Sequence, residues 1–343
     1  MPVNEIITGL AAAIGPAGAE GAAARLAMEL LGDYAPVRKT PLGSVIAELG
    51  DRKAKEHILL DAHIDEIGMI VTRVDDKGFL HVDRTGGVDR RTLAGAEVTV
   101  LGKKRLSGVI CSTPPHLAKG DSSKVPDWDG IYIDIGCGAE RTHELVPCGS
   151  RVVVRSRPLR LLGERIACKA LDNRAGAAAL IRTVELLEPE SSRLPCRVSI
   201  VLSTQEETGG QGATTSAFDI APTQCVTVDT GFAQQPGVAP EKCGKLGKGA
   251  MIGASPVLDR RITMRLRELA EEHKIAWQHD IMGGSTGTNA DNIASSRGGV
   301  RTGLVSIPLR NMHTAVEIVD KSDIESTARL LAEFVKAGGA VDA

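Results

Sequence analysis

His57-Ile-Leu-Leu-Asp-Ala-His63-Ile-Asp65 is the stretch that decides the fold. Its apolar run, 57–62, reads as a strand buried on both faces, the kind found inside parallel sheets. Open α/β sheets gather their functional groups where such strands end, and this one ends on a histidine and an aspartate. His63 and Asp65 stand two residues apart on extended chain, so their side chains leave the same face. Asp65 can therefore accept a hydrogen bond from the imidazole, fixing its tautomer and making it a stronger base toward a metal ion. By itself a His-x-Asp pair is a weak signal that fits a satisfied structural histidine better, so the rest of the chain has to decide.

Downstream, short β runs at 69–74, 79–82, 97–101, 108–111, 131–135 and 151–154 are evenly spaced and punctuated by glycine, the pattern of a small all-β unit. Helical periodicity returns at Asp172, where Asp172-Asn173 can cap a helix running to about 187. Strand and helix patterns then alternate through 198–203, 212–218, 225–229, 259–273, 276–281, 300–307 and 322–335, with a Gly/Ser/Thr loop at 283–288. Upstream, the Ala-rich segment 4–32 is broken at Gly15-Pro16 and reads as two short helices. The expected fold class is α/β, a mostly parallel central sheet flanked by helices, with a small barrel-like β domain inserted. Residues 1–66 and 159–343 are the two parts of the α/β domain, and 67–158 is the insertion. The one linker-like stretch is 119–129, polar with Gly, Pro and two Ser.

Composition narrows the function classes. A chain of 343 residues exceeds one ordinary core, in keeping with a large domain plus an insertion. With 42% apolar residues and a net charge of −2 it lacks the basic patch of a nucleic-acid binder, and 2% aromatics leave no stacking surface. Seven cysteines without a CxxC pair point to reduced thiols and a cytoplasmic location. The start Met1-Pro-Val-Asn-Glu has no signal-peptide pattern, and no run reaches the roughly 18–20 apolar residues a membrane helix needs. Neither nucleic acid nor membrane is an expected partner.

Five ligand-type positions close hydrophobic runs or open a helix: His63, Asp172, Glu206-Glu207, Asp229 and His313. Each has a plain structural reading as well. Asp172 suits a helix N-cap, Asp229 and His313 suit turns, and Glu206-Glu207 suits a solvated loop. Adjacent carboxylates at the end of a buried run nevertheless cost stability unless protons or cations compensate. Two histidines with three carboxylates suit a pair of divalent ions such as zinc, cobalt or manganese, and the spare carboxylate suits a general base.

The pieces Leu60-Asp-Ala-His63-Ile-Asp65-Glu-Ile-Gly68-Met69, Lys169-Ala-Leu-Asp172-Asn-Arg174, Gln205-Glu206-Glu207 with Gly209, Val228-Asp229-Thr230, and Ile307-Pro308 through Met312-His313-Thr314 occur in this order. In them the chain resembles the tetrahedral (TET-type) and glutamyl aminopeptidases, dinuclear metallo-exopeptidases, some of whose members carry endoglucanase labels. The resemblance covers nearly the whole chain, including the inserted β domain. It implies a zinc-peptidase-like fold and two divalent ions per subunit, zinc or cobalt first and manganese next. His63, Asp172, Glu207, Asp229 and His313 would be the ligands, with Asp172 bridging through a cis Asp172–Asn173 peptide. Glu206 would be the general acid/base and Asp65 the residue orienting His63. Substrates would be short peptides, and the inserted domain would build a dimer that assembles into a dodecamer.

The chain departs from the family at Gly210-Gln211 and in the loop Gly283-Gly-Ser-Thr-Gly-Thr-Asn-Ala-Asp291, both near where the family binds substrate. Arg310 reads either as a contact for an acidic substrate side chain or as a structural arginine. A metal-dependent deacylase or carboxypeptidase would use nearly the same ligands. A glycoside hydrolase would need two carboxylates about 5–9.5 Å apart and no metal ligands, and a non-catalytic scaffold would most simply have lost a ligand.

Overall fold

The computed structural model describes residues 1–112 and 125–340. Helices α1 (Val3–Ala12) and α2 (Gly21–Gly32) flank Gly15-Pro16 and lead into strands β1 (Val37–Lys39), β2 (Val45–Gly50) and β3 (His57–His63). Next come β4 (Gly68–Val74), β5 (Leu80–Thr85), β6 (Glu97–Leu101), β7 (Arg105–Ile110) and β8 (Tyr132–Asp134), then helix α3 (Ala139–Leu145) and β9 (Arg151–Val154). A hairpin, β10 (Leu159–Arg160) and β11 (Arg165–Cys168), leads to α4 (Leu171–Leu187), β12 (Arg197–Ser203), α5 (Gln211–Ile220), β13 (Gln224–Phe232) and β14 (Ala250–Ala254). The chain closes with α6 (Arg260–Glu272), β15 (Trp277–Ile281), α7 (Asn289–Ala294), β16 (Arg301–Leu309), β17 (Glu317–Asp320) and α8 (Lys321–Lys336). The linker-like stretch lies in part outside the described residues, and its end, Trp128–Gly130, forms a 3₁₀ turn.

The central sheet has the order β1-β2-β12-β3-β13-β16-β14-β15. Its four middle strands, β12, β3, β13 and β16, are parallel, while β2 and β14 join them antiparallel. Every residue of β3 is buried, as its apolar run requires when sheet and helices cover both faces. Along α4 the alanines at 175 and 177–179 are fully buried, and small side chains let this helix lie close against the sheet beside α1 and α8. Strands β4-β5-β8-β7-β6-β9 close a barrel around their own apolar cluster, which includes Met69, Leu80, Val98, Val100, Ile133 and Val152. A third, small antiparallel sheet, β10-β11-β17, packs through β17 against β16, α4 and α8. Among the described residues no helix is long and apolar enough to cross a membrane.

β3 begins with a buried histidine whose Nε2 lies 2.8 Å from Ser199 Oγ. Burial, reinforced by Arg197, lowers the His57 imidazole to about 4. The unfolded chain therefore binds a proton below about pH 6.5 that the folded chain refuses until pH 4, so acid favours unfolding across that window. In chemical denaturation at pH 7 and pH 5, the parent is expected to lose at most about 2 kcal/mol more stability than His57→Gln. Equal losses would remove His57 from the acid sensitivity of the fold.

Candidate metal centre

Because β12, β3, β13 and β16 are parallel neighbours, their carboxyl ends lie along one edge of the sheet. His63 is the last residue of β3, Glu206-Glu207 occupy a 3₁₀ turn just after β12, Asp229 lies in β13 and His313 follows β16. The start of α4 brings Asp172 into their midst. Asp172 Oδ1 is 3.3 Å from His63 Nε2, and its Oδ2 is 3.3 Å from His313 Nε2. Asp229 Oδ1 approaches the same His63 nitrogen at 3.6 Å, and Glu207 Oε1 the same His313 nitrogen at 3.5 Å. Two groups result, His63-Asp172-Asp229 and Asp172-Glu207-His313, each with its ligand atoms within 4.8 Å of one another, and they share Asp172.

The turn into α4 explains how Asp172 is freed for this position. Asp172 and Asn173 have non-helical backbone angles, and the peptide between them is cis. Asn173 Oδ1 accepts from Gly176 N at 2.9 Å, so of the pair Asp172-Asn173 it is Asn173 that caps the regular helix. Its Nδ2 donates to Val228 O at 2.8 Å and so fixes the strand beside Asp229. Asp172 N in turn donates to Glu317 Oε2 at 3.0 Å, and His313 N donates to Glu317 Oε1 at 2.8 Å. One buried carboxylate thus positions the backbone of both residues. Nothing in the sequence distinguishes Glu317 from other acids, since it is linked to the site only through backbone amides.

Asp65 is fully buried, and its hydrogen bonds go to the backbone of the glutamate turn, while the bond expected from the His63 imidazole is not made. Its Oδ1 accepts from Glu206 N at 3.0 Å and its Oδ2 from Glu207 N at 3.1 Å, which pins the turn carrying both glutamates. Its contact with His63 Nδ1 is longer, 3.5 Å. The barrel also reaches the site. Gly87 O lies 3.1 Å from His313 Nδ1, and a Cβ on Gly87 would overlap that ring. Gly87→Ala is therefore expected to displace His313 and weaken metal binding by roughly 10–100-fold, as loss of an orienting partner does. Isothermal titration of the chelator-treated protein measures this, and parent-like affinity would refute it.

Burial sets the electrostatics. It pushes the Glu206 carboxyl up to about 8 and the Glu207 carboxyl up to about 7, and neighbouring carboxylates add to the effect. It pushes Asp172 up too, but the His313 and His63 imidazoles outweigh it and hold that carboxyl well below the usual range. Burial works against protonation of His313, yet Asp172 and Glu207 raise its imidazole to about 9, and His63 is likewise held well above its ordinary value. Carboxylates that charge their own imidazoles demand positive charge at the points between them. A divalent ion in each group meets that demand and leaves the imidazoles neutral, the form that ligates. The donor set thus fits metal ions.

A cavity of about 680 Å³ opens over the two groups, lined among others by Glu206, Phe232, Met251, Asp280 and Ser306. Gly283 and Thr286 to Thr288 of the glycine-rich loop line it as well, whereas Gly210 and Gln211, expected near the substrate, form the turn into α5 and do not. Arg310 is structural: its Nε donates to Gln234 O at 2.7 Å.

Comparison with known proteins gives the class first: an aminopeptidase, a hydrolase of peptide bonds. The model of the M42 glutamyl aminopeptidase family matches residues 43–330, and the chain belongs to that family. It is 32% identical over 312 residues to lysyl aminopeptidase of Pyrococcus furiosus, spanning 89% of this chain and 88% of that protein. An aminopeptidase from the archaeon Desulfurococcus kamchatkensis superposes with a TM-score of 0.90 at 31% identity, over 97% of this chain and 94% of that one. The Pyrococcus horikoshii TET1 peptidase, which can assemble into a tetrahedron or a large octahedral shell, gives 0.86 at 29% identity, over 97% and 99% of the two chains.

Proposed function

We propose that the chain is a dinuclear metal-dependent aminopeptidase that removes N-terminal residues from short peptides, with Glu206 as general acid/base. The observation that carries this reading is Asp172, which offers one oxygen to each of two histidine-carboxylate groups. His63, Asp172 and Asp229 would hold one ion, and Asp172, Glu207 and His313 the other. Imidazole with carboxylate favours zinc or cobalt, then manganese. Bound ions supply Lewis acidity and lower the pKa of water toward neutrality. Glu206 lines the cavity, and among the described residues its carboxylate has no ion-pair or hydrogen-bond partner, which suits a group that must take a proton from water and pass it to the leaving amine. Asp65, Glu317 and Gly87 keep the ligands and the base in register.

The test is removal of metal by chelator, stepwise reconstitution, and assay on a peptide and its N-acetylated twin. Activity that returns with two ions per chain and only on the free amine is the expected outcome. Cleavage of the acetylated peptide at equal rate would point to a deacylase or carboxypeptidase instead. A glycoside hydrolase reading is weakened by geometry, because Asp172, Asp229 and Glu207 each face an imidazole across less than 4 Å.

We further propose that 67–158 is a unit inserted between 1–66 and 159–343, and that it builds a dimer assembling into a dodecamer. Its separate apolar core and the exposed Val109 support this, as does the assembly of the P. horikoshii relative. Light scattering should give a particle twelve times the 36.1 kDa chain, and a stable monomer at micromolar concentration would end the idea. The cytoplasm is the proposed location, supported by seven cysteines that are all free thiols. Nucleic acid and membranes are not proposed partners.

A further inference from the structure

Away from the metal groups, the cavity contains a carboxylate that the proposed reaction does not use. Asp280, in β15, lines the cavity, and its Oδ2 accepts from Ser306 Oγ at 2.7 Å. Among the described residues it has no other hydrogen-bond partner and no ion pair. Ser306 in turn pairs with Asp229 across β13 and β16 and with Met251 across β14. Neighbouring strands lie about 4.8 Å apart, so the anchored carboxylate stands roughly one strand spacing from the strand that carries a candidate metal ligand. The same cavity has an apolar part of its lining in Met251 and Leu304, both buried, and Met282, which packs in one cluster with Leu304.

A cavity that combines this apolar lining with a half-buried carboxylate fits an aliphatic stem tipped by a cation. We propose that this cavity selects a basic residue, lysine or arginine, at the substrate N-terminus, with Asp280 as the residue that determines this preference. The proposal rests on the aminopeptidase reading above, which puts the scissile carbonyl at the metal groups. Burial pushes the Asp280 carboxyl up, as expected of a charge held away from water without a cationic partner. The cations nearby do not supply one: Lys242 is exposed on a turn next to the equally exposed Glu241, and Arg310 is tied to a backbone carbonyl. The four-carbon stem of lysine packs along the methionines while its ammonium pairs with Asp280, a charge-assisted bond shielded from solvent.

Steady-state assays of the metal-loaded protein on lysyl, arginyl, norleucyl and glutamyl nitroanilides test it. Norleucine keeps the stem and lacks the ammonium. The parent is expected to favour lysyl over norleucyl substrate by at least about 10-fold in kcat/KM, and Asp280→Asn to reduce that ratio by roughly 10²-fold. Ser306→Ala keeps the carboxylate and removes its anchor, so the lysyl preference should shrink less than in Asp280→Asn, and a loss as large would assign the preference to packing rather than to the charge. An unchanged lysyl-to-norleucyl ratio in Asp280→Asn overturns the assignment even if absolute rates fall, because uniform loss indicates a role in holding the α-amine or the fold. A parent ratio near one overturns it without any variant. Failure to cleave all four substrates would instead sink the aminopeptidase reading.

Discussion

Glu206→Gln is expected to fold, to retain both metal ions, and to lose roughly 10²–10⁴-fold in kcat with little change in KM, the range for removal of a general acid/base. The neighbouring Glu207→Gln should fail differently. Glu207 Oε1 faces His313 Nε2, and the carboxyl belongs to the second metal group, so its loss acts on affinity and added metal should restore part of the rate. The two glutamates share one turn, and both of their amides bind Asp65. The proposed separation in role would therefore come from side-chain direction alone. Metal content by mass spectrometry, measured with the kinetics, distinguishes the cases, and identical behaviour of the two variants would refute the assignment.

Asp172→Ala should be more damaging still, since it removes the carboxylate common to both groups. Metal affinity should fall by more than the roughly 10–100-fold that loss of a supporting partner costs, leaving no activity at stoichiometric metal. Thermal melting supplies a readout independent of turnover. A ligand at 100 times its Kd stabilises the fold by about 2.7 kcal/mol, so a chelator should lower the parent's Tm and leave that of Asp172→Ala nearly unmoved. An equal chelator effect on both chains would show that the metals bind elsewhere.

Much of this was legible in the sequence, and the parts that were not share a cause. β3 was readable because seven consecutive buried residues leave an apolar run, and its end pointed to His63. Glu206-Glu207 stood out because two adjacent acids after a buried strand are costly. By contrast, β2 carries a glutamate and β14 is Ala-Met-Ile-Gly-Ala, so neither has the β-branched density of a strand, and the sheet's partners decide both. The hairpin β10–β11 and its pairing with β17 depend on residues some 150 positions apart in the chain, which no local pattern reveals. The pair Asp172-Asn173 read as a cap beside a candidate ligand, and the fold gives the capping to Asn173. Glu317 and Gly87 were invisible because both act on backbone or ring geometry across the fold.

The peptide oxygen that aims His313 belongs to the loop between β5 and the 3₁₀ turn Arg90–Thr92, a part of the barrel, and a second tie joins Ser156 Oγ to Ala315 O at 2.7 Å just beyond the histidine. The barrel side thus helps set the position of a proposed metal ligand. If His313 holds an ion as proposed, a contact that shifts the barrel, including contact with another subunit, would shift that ligand with it.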